Sequence, residues 1–294
     1  MPRDRSFFGI SLVTIIPILM VALWGTAFTG TKLTLAYGEP FTLLFWRCAV
    51  TAAAMLAVSL AARASWPKDP RIIAWTACVG LFVHGIFLSG SYFAVDRGIS
   101  TGLVALISAL QPLLTAVLAI PILNERISVR QLMGLGVGLA GVALVVANKV
   151  SLDDDQMIGA AIAFLAPLGL TLGFLIQKRY ALEVDLRTGM TIQFAAATAI
   201  FAILASGFES MEVRLTLEFL LVQGWLSFGV SAGAIAITYF MIRNDAIAKV
   251  SSLFYLVPPI VSITGYFLFG ETFGILAIVG MVIALAGVMM VKRS

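Results

Sequence analysis

Ten apolar runs separated by short polar breaks make up almost the whole chain. They cover 12–35, 41–62, 72–95, 100–123, 129–148, 157–179, 188–208, 217–241, 247–269 and 273–291. A helix needs about 20 apolar residues to cross the hydrocarbon of a bilayer, and each run meets that requirement. Backbone polar groups find no water there, so the runs are expected to be helices and not open strands. The longest breaks lie around Arg63–Arg71, Lys149–Gln156 and Glu209–Glu218, and none has room for a separate soluble domain.

The runs are related to one another. Pro112, Glu125, Gly134 and Gly141 recur as Pro258, Glu271, Gly280 and Gly287, each 146 residues later and without a gap. Leu139-Ala140-Gly141-Val142 recurs as Leu285-Ala286-Gly287-Val288, and Arg97 is matched by Arg243. The chain therefore reads as an internal duplication. The first unit is 1–148 and the second 149–294, with five spans in each. Five is odd, so the second unit is expected to enter the membrane from the opposite side. The expected fold is all-α and polytopic: ten transmembrane helices arranged as two inverted five-helix repeats. Two similar halves of opposite orientation can exchange conformations and open a central site to each side in turn, as in secondary transporters.

Composition agrees with this pattern. Hydrophobic residues make up 61% and charged residues 12% of the chain, against roughly 25% charged in a soluble domain. The net charge of +4 matters less than its placement. With the N-terminus inside, 14 of the 19 basic residues fall on cytoplasmic loops. The reverse topology inverts that bias, so both termini are expected to be cytoplasmic. The basic residues sit in short loops and not along one face, which argues against a nucleic-acid partner. Cys48 and Cys78 have neither metal-ligand nor disulfide spacing and are expected to pack. The first run is too long for a cleavable signal peptide, lacks a small-residue cleavage site and is followed by further spans.

Polar and conformationally special residues at mid-span are the candidates for function, because such residues are costly in lipid. The substrate-binding candidates are Trp24, His84, Gln111, Tyr92, Tyr239 and Tyr255. His84 is the sole histidine and the sole mid-depth side chain that titrates near neutral pH, so substrate contact or proton coupling is its functional reading. A hydrogen bond between helices is the structural alternative. Trp24 offers a flat face and one N–H donor; Gln111 can read a carboxylate or an amine. Pro112, Pro167, Pro258 and Pro259 each remove a backbone donor, and their placement near the midplane marks them as hinge candidates. Arg47, about two turns into its span, is expected to snorkel to the surface or to pair structurally, with anion binding as the alternative. Lys32 is expected to snorkel. Glu125 and Glu271 end their helices and are expected to meet backbone or a basic residue of the next helix. Small residues every three or four positions in spans 5 and 10 permit close helix approach and suggest a homodimer contact.

Trp24-Gly25, Pro40 with Arg47, Pro112 to Glu125, Pro258 to Glu271, and Gly134, Gly141 and Gly287 together resemble the EamA-type branch of the drug/metabolite transporter superfamily. The likeness spans essentially the whole chain. It departs in the second repeat, where Leu170-Thr171 stands in place of Trp-Gly. The resemblance implies two five-helix repeats and movement of small metabolites, often outward. The expected function is secondary transport of a small amphipathic metabolite, such as an amino acid, by alternating access around a midplane cavity. The expected cavity is built by spans 1, 3, 4, 6, 8 and 9. The expected location is a bacterial inner membrane or an equivalent plasma membrane, with lipid and a small-molecule substrate as partners. No zinc-ligand spacing, phosphate-cradling glycine loop or nucleophile–base constellation is present, so neither a cofactor nor a metal is expected. A membrane enzyme would need such groups clustered at one face, and a scaffold would not need two exchangeable halves.

Overall fold

A computed structural model describes residues 6–7, 10–125, 127–146, 154–270 and 274–292. Glu271 lies outside the described residues. So do Arg3, Arg5, Arg126, Lys149, Asp153 and Arg293, on which part of the orientation argument rests.

The described residues are helical apart from loops and a two-residue pairing of Ser6–Phe7 with Ile10–Ser11. In chain order the first half holds α1 (Leu12–Thr34), α2 (Pro40–Ala61), α3 (Pro70–Gly80), α4 (Phe87–Asp96), α5 (Thr101–Ser108), α6 (Gln111–Leu123) and α7 (Val129–Val146). The second holds α8 (Asp154–Ala163), α9 (Leu165–Tyr180), α10 (Leu186–Phe208), α11 (Leu217–Gly224), α12 (Ile235–Asn244), α13 (Ile247–Ser252), α14 (Val257–Phe269) and α15 (Ile275–Lys292). Wide π-helical turns, Leu81–Ile86 and Trp225–Ala234, join α3 to α4 and α11 to α12. A 3₁₀ turn, Leu253–Leu256, joins α13 to α14.

Eight helical segments are long and apolar enough, by length and composition, to cross a membrane. They answer to eight of the ten expected spans. The remaining two runs, 129–148 and 273–291, contain α7 and α15, each of 18 residues. The elements follow the sequence repeat. Helices α6 and α14 begin at Gln111 and Val257 and end at Leu123 and Phe269, both ends keeping the 146-residue step. Each is closed by a left-handed residue, Asn124 at φ 55° and Gly270 at φ 66°, which are the residue types that tolerate that conformation.

Several prolines stand at helix starts, whereas Pro17 and Pro121 lie inside α1 and α6. Pro112 stands in the first turn of α6 and Pro258 in the first turn of α14, where a missing N–H is harmless. The chain before each of them leaves the α-helical path, so the fourth and ninth spans are discontinuous. Pro259 follows in the same turn of α14, and Pro167 lies in the first turn of α9, just after the break at Phe164.

In lipid, helix association rests on close packing and hydrogen bonds more than on hydrophobic transfer. One close contact of this kind joins α7 to α15. A Cβ at Gly287 would overlap the backbone of Gly134 and Gly138, so only glycine permits this approach. The glycine faces expected to serve a homodimer thus meet each other inside one chain, which removes the sequence argument for that contact. Helices α2 and α10 form a second close pair. At the centre, α1 packs against α14 and the Trp225–Ala234 turn, burying Met20, Val21, Trp24 and Phe28.

Candidate functional site

The centre of the bundle is lined by residues from four interrupted or crossing segments. Helix α1 supplies Trp24, Ala27, Phe28 and Thr31, and α2 supplies Arg47. The turn after α3 supplies Val83 and His84, α4 supplies Phe87, Leu88 and Ser91, and the Trp225–Ala234 turn supplies Val230 and Ser231. The space they enclose is small, about 20 Å³ open to the centre of a water-sized sphere, which is room for about one water. A second space of about 10 Å³ lies beyond Trp24, Phe28 and Phe87, among Ala105, Ser108, Ala109, Leu170, Phe254 and Val257. The three aromatic side chains are shared by both spaces and form the wall between them. Trp24 meets Phe87 edge to face at 5.5 Å and Phe254 at 4.9 Å, the tilted geometry that aromatic quadrupoles favour. Its indole N–H donates to Thr238 Oγ1 at 3.1 Å, which fixes the ring.

The polar chamber is dominated by Arg47. Its side chain does not snorkel: the residue is 2% exposed. Its Nε donates to Ser231 Oγ at 2.9 Å, and an Nη lies 3.5 Å from the Tyr92 hydroxyl. Among the described residues no carboxylate forms an ion pair with it. The length of the side chain allowed it to reach either the surface or the centre, so sequence position alone could not decide between them. The Arg47 and Ser227 carbonyls also meet hydroxyls, Thr51 Oγ1 bonding to both and Ser227 Oγ lying at 3.5 Å from the former. These bonds tie α2 to the wide turn that carries Ser231.

His84 sits on the other wide turn, buried and stacked on Phe194 with ring centroids 3.7 Å apart. Its Nε2 has no partner among the described residues. Wide turns of this kind recur at functional sites because they re-aim the side chains they carry. The two here occupy related positions in the two halves and place His84 and Ser231 on the same cavity. Sequence reading did not find them, since a π-turn has no composition of its own. The one trace is glycine: a Cβ at Gly80 would overlap the backbone of Gln193, so α3 and α10 approach closely where the first turn starts.

The other candidates are dispersed around this centre. Tyr92 stands behind Arg47. The Tyr239 hydroxyl donates to Gln193 Oε1 at 2.8 Å, and Gln193 Nε2 donates to Gln177 Oε1 at 2.9 Å. This buried polar line runs from α12 through α10 to α9. Gln111 belongs to a separate cluster, its Nε2 donating to Thr115 Oγ1 at 2.9 Å and Ser251 Oγ at 3.2 Å. Tyr255 lies apart from both chambers, packed on Gly138 with its hydroxyl 3.4 Å from the Leu135 carbonyl. Its surroundings are the α7–α15 contact.

At opposite ends of the bundle, hydrogen bonds and an ion pair join the two halves of the chain. At one end Glu209 accepts from the Phe41 and Thr42 amides at 2.8 and 2.7 Å and from Thr42 Oγ1 at 2.8 Å. Beside it, Glu39 accepts from the Ser210 amide and hydroxyl, each at 2.7 Å. The Ser210 bonds hold the Glu39 carboxyl below its ordinary value. At the opposite end Lys178 pairs with Glu125 at 3.2 Å and donates to the Asp245 carbonyl at 2.7 Å. Arg179 reaches the Ile122 carbonyl. Glu125 thus meets a lysine from the second half, not a base on the adjoining helix. Lys32 lies over the Phe269 ring, 4.1 Å from its centre.

A buried centre that carries Arg47, His84 and three hydroxyls inside a bundle of apolar helices suits a membrane transport protein. Residues 8–147 match the EamA-like transporter family. The first half of the chain thus carries an EamA-like domain, and relatives named as transporters align over nine-tenths of its length or more. A chloroplastic WAT1-related protein of Arabidopsis thaliana is 28% identical over 92% of this chain and 66% of its own length. A probable terminal-alkyne amino-acid exporter of Streptantibioticus cattleyicolor is 25% identical over 94% of this chain and 92% of its own. The Bacillus subtilis transporter YyaM is 26% identical over 90% and 88%. A crystal structure aligns with a TM-score of 0.73 over 95% of this chain and 96% of its own, at 17% identity, and shares the fold.

Proposed function

We propose that this protein is a secondary transporter that moves a small amphipathic metabolite of the amino-acid type, outward, by alternating access. The observation that carries this reading is the closed centre: Trp24, Arg47, His84 and Ser231 converge on it from both halves. Each end of the bundle is tied by bonds that a small helix rotation would break. The ten-helix arrangement with inverted halves, 1–148 and 149–294, supplies the exchange of conformations. The proline breaks before α6 and α14, with that at Pro167, act as hinges. The Lys178 end faces the cytoplasm, as do both termini, in a bacterial inner or equivalent plasma membrane. The likeness to an amino-acid exporter supports the substrate class and the direction.

Counterflow in proteoliposomes tests it. Vesicles preloaded with an unlabelled amino-acid mixture should accumulate labelled apolar amino acid transiently, only when the protein is present. Equal label in protein-free vesicles across the set would sink the transport reading. Orientation is tested separately: cysteines introduced at Asp154 and Ser294 should react with an impermeant reagent from opposite sides.

A further inference from the structure

Arg47 poses a physical problem that its protein contacts do not solve. A guanidinium stays charged in any protein environment. Removing it from water is costly unless an opposite charge compensates. Here the residue is 2% exposed and bonded only to neutral hydroxyls, from Ser231 and Tyr92. His84, also on the chamber wall, adds a buried Nε2 without a partner. On the far side of the Trp24–Phe28–Phe87 wall no charged side chain lines the space, and its one polar side chain is Ser108, whose buried hydroxyl has no partner among the described residues. The centre is therefore polarised: a fixed cation at one side and aromatic and aliphatic surface at the other.

Among the described residues no Asp or Glu lines either space. A free ammonium would meet only neutral acceptors, the hydroxyls of Thr31, Ser91, Ser108 and Ser231 and the His84 imidazole, with no carboxylate to balance its charge. A carboxylate, by contrast, matches the guanidinium in charge and in its two-point geometry.

We propose, building on the transport reading above, that the site selects its solute by a carboxylate held on Arg47. The apolar tail crosses the aromatic wall into the second space, and an ammonium is not required. The substrate class is a small monocarboxylate with an apolar or aromatic tail, of which an amino acid is one instance. The two spaces merge when the Phe87 ring swings away from Trp24, which its bond to Thr238 holds in place.

The test is binding of four probes with one benzyl tail to the purified full-length protein, read by calorimetry. They are phenylalanine, N-acetylphenylalanine, 3-phenylpropionate and phenylalaninamide. The three carboxylates should bind within a few-fold of one another, and the amide about tenfold or more weaker. Arg47→Gln should weaken the carboxylates by about tenfold or more, with Arg47→Lys intermediate because it keeps charge and loses the fork. The probe series on the unaltered protein stands even if a variant does not fold. Equal binding of the amide, failure of 3-phenylpropionate where phenylalanine binds, absence of binding by every carboxylate, or unchanged affinity in a folded Arg47→Gln protein would each overturn the proposal. Counterflow separates it from the transport reading. Carboxylate binding without flux defeats transport alone, and flux indifferent to the carboxylate defeats this selectivity alone.

Discussion

The two ends of the α2–α10 pair occupy related positions in the duplicated sequence yet are tied differently. At one end α2 begins at Pro40 and meets the close of α10. The first-turn amides, which have no partner within the helix, are capped by Glu209, 167 and 168 residues away in sequence. At the other end α10 begins at Leu186 and meets the close of α2. There the cap is local: Asp185 accepts from the Arg187 amide at 2.9 Å. The position related to Glu209 by the 146-residue step is Arg63, which cannot accept a hydrogen bond. The links that remain are Thr188 Oγ1 donating to the Ser65 carbonyl at 2.9 Å, the counterpart of Thr42 on Glu209, and the Ser59 and Thr191 hydroxyls at 3.3 Å. One end is fastened by two carboxylates on amides and hydroxyls. The other relies on neutral hydroxyls, with Lys178 nearby. Helices that match in length and register are thus tied by different polar side chains. In the proposed transport cycle the Lys178 end is expected to open first.

Glu209→Ala should have the largest effect. It removes three charge-assisted bonds and uncaps α2, costing about 2–3 kcal/mol, visible as a lowered thermal midpoint in detergent. A loss below that of the Lys178 variant would reverse the ranking of the two ends. Lys178→Ala should cost about 1 kcal/mol, because the pair is partly exposed to solvent. Its clearer signature is faster hydrogen exchange at the ends of α6, α9 and α12 while the Glu209 end stays protected. Thr188→Val keeps shape and removes one hydroxyl, for a cost of about 0.5–1 kcal/mol. A neutral result in thermal unfolding would mean that the Ser65 contact holds nothing.

The smallest effect concerns acid. Bonds from Ser210 lower the Glu39 carboxyl, and those from Arg187 lower that of Asp185. A carboxylate lowered in the folded state contributes stability above its unfolded value, and that contribution is lost as pH falls through the lowered value. Stability should therefore be flat near neutrality and decline only below the ordinary carboxylate range. Ser210→Ala returns Glu39 toward its ordinary value, so its acid transition should move to slightly higher pH. A transition unmoved by Ser210→Ala would show that the Glu39 bonds do not persist in solution.

The apolar runs, the duplication and the proline breaks are properties of local sequence. Lipid leaves the backbone no partner but itself, so a run of sufficient length must be a helix wherever it lies. A proline at a first turn starts a new helix whatever surrounds it. Trp24 and His84 were legible for a related reason: polar atoms at mid-span are scarce and therefore conspicuous. What packs against what was decided by the tertiary structure. The glycines of α7 and α15 carry the signature of close approach, but only the fold chose an intramolecular partner. Tyr239 and Tyr255 look alike in sequence, yet one joins the line through Gln193 while the other packs on Gly138. The wide turns arise where α3 and α11 adjust to their neighbours, and no residue pattern encodes them. Arg47 is the sharpest case. Its long stem could have carried the charge to water or to the centre, and only the helices around it, with Ser231 and Tyr92 in reach, turned it inward.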